Sequence, residues 1–316
     1  AGEGISSNSD FGLDGKITLS TSLNVDLTVN PDFSQVEVDK QRTNLDRFEL
    51  FFPEKRQFFL ENSDLFASLG NKHIRPFFSR RIGFNSPVKI GARISGKIGS
   101  NYRLGIMNVQ TEPGDDNLSS IFTVATMQRK IFSRSSLSTF IVNKNLDNTD
   151  DNISSYNRIV GVDFNLASAD NLWTGKAFYH HSFYKNAANK PFATTGSLKY
   201  NNGVLSADID YSFVGSGYEA EVGFVKRNGY HQFRPIIEYK FYPNKGSIQN
   251  HGPSIKLDTF VDEDFDLTDQ EIEIKYIINW KDRSKFTFDL ENGYVKLLSP
   301  FDPTNTGGDT LSTGAE

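Results

Sequence analysis

Cysteine is absent from the 316 residues, and methionine and tryptophan occur only twice each. The missing thiol excludes disulfides, thiol nucleophiles and zinc–thiolate centres, and leaves the compartment open. Long apolar runs are missing too. No stretch approaches the roughly 20 consecutive apolar residues a spanning helix needs, and mean hydropathy is −0.45. Excess positive charge is also lacking: a formal net charge of −5 argues against a nucleic-acid partner. The opening AGEGISSNSD carries no signal peptide, so the expectation is a removed leader or a start inside a longer precursor. Neither a G-x-S-x-G elbow nor an H-x-x-x-H pair is present, which removes two common hydrolase signatures.

What the chain does have is aromatic residues, with 27 Phe and 12 Tyr, and a period of two. Leu23, Val25, Leu27 and Val29 alternate, as do Val88, Ile90, Ala92, Ile94 and Ile98 against Lys89, Arg93 and Lys97. Leu104 and Ile106 continue the pattern opposite Arg103. Val160, Val162, Phe164 and Leu166 oppose Gly161, Asp163 and Asn165, and Leu205 to Phe213 oppose Ser206, Asp208, Asp210 and Ser212. Tyr218, Ala220, Val222 and Phe224 oppose Glu219 and Glu221 in the same manner. Further runs end in Tyr239, Phe241 and Trp280, and Phe286, Phe288 and Leu290 oppose Lys285, Asp289 and Glu291. With weaker segments near Trp173, Leu198 and Leu257, and an ambiguous stretch from Ile121 to Val142 turning within Arg129 to Ser136, about 14 to 16 strands of roughly ten residues are predicted.

Strands of that length exceed the usual 5–6 residues and match a tilted membrane strand. Charge of both signs occupies one face, and rings stand at strand ends: Tyr211, Phe213, Phe224, Tyr239, Phe241, Trp280 and Tyr294. Such rings form interfacial girdles. Short turns such as Asn201-Asn202-Gly203 and Lys226 to Gly229 alternate with longer loops at 143–157, 184–191 and 260–269. The expectation is therefore an all-β protein, a transmembrane antiparallel β-barrel with low average hydropathy because only alternate residues face lipid. A soluble all-β protein, for instance a carbohydrate binder, is the rival.

One stretch breaks the pattern. Asn30 to Gly83 is dense in charge and in Phe, and Pro53-Glu54-Lys55-Arg56 has the composition of a helix start. Phe51, Phe52, Phe58, Phe59 and Phe66 are predicted anchors of a compact, partly helical insert, inside or on the periplasmic side of the barrel. The predicted organisation is first strands at 1–30, a plug-like insert at 31–87, and remaining strands and loops at 88–316.

The run NPDFSQVEVDKQRTNLDRFELFFPEKRQFFLENSDLF and the following FFSRRIG resemble an uncharacterised family of outer-membrane barrels, a domain of unknown function common in Bacteroidota. KIGARISGKIG, GIMNVQT, RKIFSRSS and LLSPFDP add to the likeness. The resemblance implies a barrel in the outer membrane of a Gram-negative bacterium, in contact with its lipid, and supplies no activity and no catalytic residues. Family members usually carry a carbohydrate-binding-module-like sandwich before the barrel and further strands after it. The expectation is thus that these residues do not close a barrel alone, and that a missing N-terminal domain or other envelope proteins are partners.

For chemistry, His180 and His181 are adjacent on a strand and point to opposite faces, which disfavours a dyad. His73, His231 and His251 are isolated. Asp262, Asp264 and Asp266, with Glu263 and Asp269, have spacings a calcium loop could use but lack its central glycine, and Asp147, Asp150 and Asp151 form a second acidic loop. Solvated loops are the expectation for both, with no metal, no cofactor and no catalytic residues. Lumen-lining charges are predicted at Lys89, Arg93, Lys97, Arg103, Asp208, Asp210, Glu219 and Glu221. The cationic row is expected to pair with insert carboxylates such as Glu37, Asp39, Asp46 or Glu49, because buried charge needs partners; an anion-selecting eyelet is the alternative. The expected function is a channel or transport component, the alternative a noncatalytic subunit of an envelope assembly or secretion complex.

Overall fold

The computed structural model describes residues 11–31, 47–84, 86–113, 118–146, 156–302 and 310–314. Strands β1 (Leu13–Ser20) and β2 (Leu23–Val29) precede the insert, which holds two single-turn helices, α1 (Gln57–Leu60) and α2 (Asp64–Ala67), and the short strand β3 (Ile74–Arg75). Then come β4 (Val88–Ile98), β5 (Tyr102–Thr111), β6 (Ser120–Ile131), β7 (Ser135–Leu146) and β8 (Tyr156–Ala167). They are followed by β9 (Trp173–Tyr184), β10 (Phe192–Asn201), β11 (Leu205–Val214), the two-residue β12 (Phe224–Val225) and β13 (Tyr230–Tyr239). The last are β14 (Ile248–Asp262), β15 (Leu267–Trp280) and β16 (Lys285–Val295).

The protein is all-β. Fourteen strands form one antiparallel sheet in which each strand pairs with the next in sequence, from β1 to β16, while β3 and β12 pair only with each other. Among the described residues β1 and β16 are not paired with one another, and both are exposed on their two faces.

Register carries the alternation across the sheet. Asp26 lies opposite Arg93, Arg93 opposite Met107, and the row continues through Val124, Val142, Ile159 and Ser182. Every member of that row is buried. The next row along, Val25, Ile94, Ile106, Ala125, Ile141, Val160, His181 and Phe192, points the other way. A one-residue slip would exchange the two faces, so the pattern fixes the register.

Two assignments differ from the sequence reading. Val88 does not share a face with Ile90, because the register shifts between them and turns Val88 into the core at 4% exposure. The segment 218–225 alternates but is not a wall strand. Its only strand pairing is β12 with β3, and Tyr218, Val222 and Phe224 are buried within the fold. The cause is close backbone approach: a Cβ on Gly223 would sit 2.3 Å from the Arg75 carbonyl oxygen, so the chain folds inward against the insert. Phe224 accordingly packs on Phe51 and Phe78 and belongs to no girdle.

The connections sort by end. At one end they are mostly brief, at 21–22, 99–101, 132–134, 168–172, 202–204, 240–247 and 281–284. At the other end lie the insert, 112–119, 147–155, 185–191, 215–229 and the single tight turn 263–266. The insert and the infolded segment 215–229 therefore both enter from the end bearing the longer connections. The buried inward residues cluster in that half of the strands, for example Thr111, Ser120, Ala193, Val214 and Tyr230.

Candidate functional site

The site is the interface between the insert and the inward face of the sheet. The predicted helix start at Pro53 does not form one. Residues 51–56 are irregular, and α1 begins only at Gln57. Glu54 explains the difference. Its carboxylate accepts from the backbone N–H of Lys55 (2.9 Å) and Arg56 (2.8 Å), from the Arg56 guanidinium, and from the Ser79 hydroxyl (2.6 Å). Arg56 in turn donates to the carbonyls of Ile82 (2.6 Å) and Ser79 (2.7 Å). Side-chain-to-backbone bonds replace a helical ladder here. Burial alone would raise the Glu54 carboxyl, but these donors outweigh it and hold its pKa below the ordinary value.

Around that hub sit Phe59, Leu65, Phe66, Leu69, Ile74, Phe77 and Ile82, each no more than 4% exposed. Of the predicted anchors, Phe59 and Phe66 are core, Phe58 packs on the core, and Phe52 is half-buried. Phe51 is exposed at its edge and stacks with Phe78 beneath the Arg75 guanidinium. The wall is shaped to receive these rings: a Cβ on Gly105 would meet the Phe66 ring at 2.7 Å.

Polar latches tie the insert to the wall. Arg93, 2% exposed, donates to Asp26 at 2.7 Å and to the Phe58 carbonyl, with Glu61 at 3.8 Å. Glu61 pairs with Lys16, and Arg103 reaches Asp64 at 3.0 Å. Farther round, Asp163 accepts from the backbone N–H of Gly70 (2.7 Å), bonds His180 Nε2 (2.7 Å) and pairs with Lys176 (3.3 Å), whose ammonium also donates to the Ser68 carbonyl (2.6 Å). The His180 ring stacks on Phe178 at 4.2 Å, and its Nδ1 is buried without a partner. Arg47 pairs with Asp269 on β15. Contacts thus run from β1 to β15, so the sheet curves around the insert.

The infolded segment adds its own bonds. Glu221 takes Lys144 at 2.6 Å, while Asn157 and Ser182 hold the backbone at Glu219 and Glu221. Burial and then the neighbouring Glu221 raise the Glu219 carboxyl, with Lys144 offsetting part of it. A cleft of about 490 Å3 opens here, with Arg81, Ser86, Phe122, Lys144 and Glu221 in its lining.

The other predicted residues are placed as follows. Lys89 is exposed at the register shift, and Lys97 is exposed farther along β4 beyond Arg93. Asp208 and Asp210 lie on the inward face of β11 and meet wall cations, Lys199 at 4.0 Å and Arg234 at 3.1 Å. Glu49 pairs with Arg81. Glu37, Asp39, Asp46, Asp147, Asp150 and Asp151 lie outside the described residues. Asp262 caps its own turn, accepting from the N–H of Asp264 (2.9 Å) and Asp266 (3.0 Å), and the three carboxylates form no cluster with metal-ligand spacing. Carboxylates do converge at Glu271, Glu273 and Glu291, a group invisible in sequence because strand register assembles it. Asp26, Lys144 and the Asp163–His180–Lys176 group were also missed. The pairing of β2 with β4 and of β8 with β9 brings the partners of Asp26 and Asp163 near, and the infolded segment brings Glu221 to Lys144.

Residues 2–103 match a family described as a domain of unknown function (DUF5916). The matched stretch covers β1, β2, the insert and β4, the elements that the Arg93 latch joins. No curated protein matches the chain, and no solved structure matches it.

Proposed function

We propose that the sheet is the wall of a β-barrel in the outer membrane of a Gram-negative bacterium, and that the insert plugs its lumen as part of a gated transport component. The observation that carries this reading is the outward face. Ile209, Ile237, Ile255 and Leu290 are each more than 50% exposed there, on four different strands, while the inward face bears charge and the plug. Contiguous apolar surface of this extent marks an interaction with lipid or protein.

Aromatic rings bracket the aliphatic band. Toward the longer connections stand Tyr179, Phe183, Phe192, Tyr211 and Phe265; toward the short turns stand Trp173, Tyr200, Tyr239, Phe241 and Tyr276. Eight residues separate Phe192 from Tyr200 along β10. At ~3.3 Å per residue and a tilt of about 40°, that spans ~20 Å, near the ~25 Å apolar band of membrane barrels. Long connections at one end and short turns at the other are the usual asymmetry of such barrels, and in them the longer loops are extracellular. By that rule the plug enters from the outside, not from the periplasmic side.

The experiment is conductance in planar bilayers. Wild type should conduct little, and a Phe58→Ala, Phe59→Ala double variant, which removes rings worth ~3–5 kcal/mol each when fully buried, should conduct more. Equal conductance with equal protease resistance would defeat the plug reading. A second reading, a noncatalytic subunit of an envelope assembly, is favoured by β1 and β16. Among the described residues both are edge strands of the sheet, and an edge strand is a template for pairing with another chain.

A further inference from the structure

A second cavity lies between the insert, the infolded segment and the inward faces of β13, β14 and β15. Its volume is about 470 Å3, within the range of ~300–1,000 Å3 typical of small-molecule sites. Two kinds of group line it. Phe48, Tyr230, Phe260, Leu297 and Phe301 supply apolar wall. Arg47, Lys226 and Arg227 supply three cations against a single carboxylate, Asp269.

That carboxylate is already saturated. It pairs with Arg47, and it accepts from Arg227 Nη1 at 2.6 Å while Thr268 takes Nη2 at 2.9 Å. Arg227 Nε is buried without a hydrogen-bond partner, an expensive position for a charged donor. Lys226 is exposed at the mouth and has no carboxylate partner among the described residues; it stands over the Phe48 ring. Arg227 itself stands over the neighbouring Tyr230 and Phe260 rings, 5.1 and 4.8 Å from their centroids. The surplus charge is felt by His73, which also lines the cavity: burial, and then Lys72, Lys226, Arg234 and Arg75, push its imidazole down to about 4.

We propose that this cavity binds a small organic anion with an apolar body, such as an aromatic carboxylate. The rings and aliphatic side chains take the body, and Arg227 and Lys226 take the charge. A bare inorganic anion would leave the apolar wall uncovered, and a neutral ring would leave the cations unanswered. The site stands whether or not the plug gates transport, since binding is measured apart from flux.

The test is calorimetric titration of the full chain in lipid nanodiscs, with empty nanodiscs subtracted. The probes are 2-naphthoate, its neutral isostere 2-naphthamide, and acetate. Naphthoate should bind about tenfold more tightly than either, the size of one charge-assisted contact. Lys226→Gln, an exposed change that leaves the fold intact, should remove most of that margin, and Arg47→Gln should weaken naphthoate as well. Lys281→Gln, at a short turn, should change nothing. Equal binding of naphthoate and naphthamide, acetate as strong as naphthoate, no binding at all, or a Lys226→Gln protein identical to wild type would each overturn the assignment.

Discussion

Arg93 offers the sharpest test of how the insert and the sheet, plug and wall on the proposed reading, are joined, because it serves both. Its guanidinium is 2% exposed and holds Asp26 of the wall at 2.7 Å and the Phe58 carbonyl of the plug. Replacing it with Met keeps the volume and removes the charge. Asp26, with 11% of its side chain exposed, then loses its partner inside the protein. Breaking a buried pair from one side costs about 3–5 kcal/mol. Lys16 lies opposite Asp26 in the register and can turn from Glu61 to replace the lost cation, so the lower end of that range is expected. Adding Asp26→Asn removes the orphaned charge and should restore most of the global stability.

The plug behaves differently in the same series. The Phe58 carbonyl loses a charged donor in both variants, a contact worth about 1.5–3 kcal/mol, so local opening of the insert rises about tenfold to a hundredfold. Hydrogen exchange at the amides of Phe59, Phe66 and Ala67, all bonded within the insert, reads that opening. Urea unfolding reads the wall. The expected pattern is that Arg93→Met lowers both, and that the double variant restores the wall without restoring the plug. Strict additivity of the two substitutions, or plug protection that recovers together with stability, would refute the division of labour.

Two further outcomes are expected. Ile209→Arg and Ile274→Arg, on the outward face, should each cost about 2–4 kcal/mol in refolding into liposomes, while Asp208→Arg on the inward face should be much milder; equal tolerance would remove the membrane orientation. His73 should make the insert acid-sensitive. Its folded pKa of about 4 lies below the unfolded value of 6.5, so the unfolded state binds the extra proton between these values and stability falls as pH drops from 6.5 to about 4. Protease resistance of residues 53–66 should fall over that window in wild type and stay flat in His73→Gln.

The strands were legible because period-two alternation survives over long runs and the pairing carries it from strand to strand, with register shifts in the β1–β2, β4–β5 and β14–β15 pairs. The paired faces at Val160/Asp163 and Ile209/Asp208 could be read from sequence alone. Alternation failed at 218–225 because it reports which side of a backbone is apolar, not what that side meets. There the apolar side meets the plug, and Gly215, Gly217 and Gly223 were the available sign of close backbone approach. The helix start at Pro53 misled for a related reason. Glu54 has the composition of a first-turn acid, but in the folded chain it bonds Arg56 and Ser79 across the insert. Pairings that need register, such as Asp163 with His180, had no sequence signal beyond the residue types.

The pairing of charges decides what holds the plug. The cationic row was expected to lean on carboxylates of the insert. Arg103 does reach Asp64 there, Arg93 takes Asp26 of the sheet, and Glu37, Asp39 and Asp46 lie outside the described residues, while other charges of the sheet pair within it. Arg93 has Asp26, Asp163 has Lys176 and His180, Arg234 has Asp210, Lys256 has Glu271, and Lys275 has Glu273 and Asp289. Withdrawing the insert would leave each of these pairs intact. Of the ion pairs that cross, Lys16–Glu61 and Arg103–Asp64 are each substantially exposed on at least one partner, and exposed pairs are worth about 0–1 kcal/mol; Arg47–Asp269 is the less exposed one. The insert is therefore held chiefly by the buried rings of Phe59, Phe66 and Phe77, by the contacts of Arg93 and Asp163 to its backbone, and by the Arg47–Asp269 pair. On the proposed reading, a sheet that pairs most of its own charge would let the insert be displaced without stranding buried charge, opposed mainly by apolar surface. Anything that competes for that surface should then loosen the insert, whereas salt alone should loosen only its exposed margin.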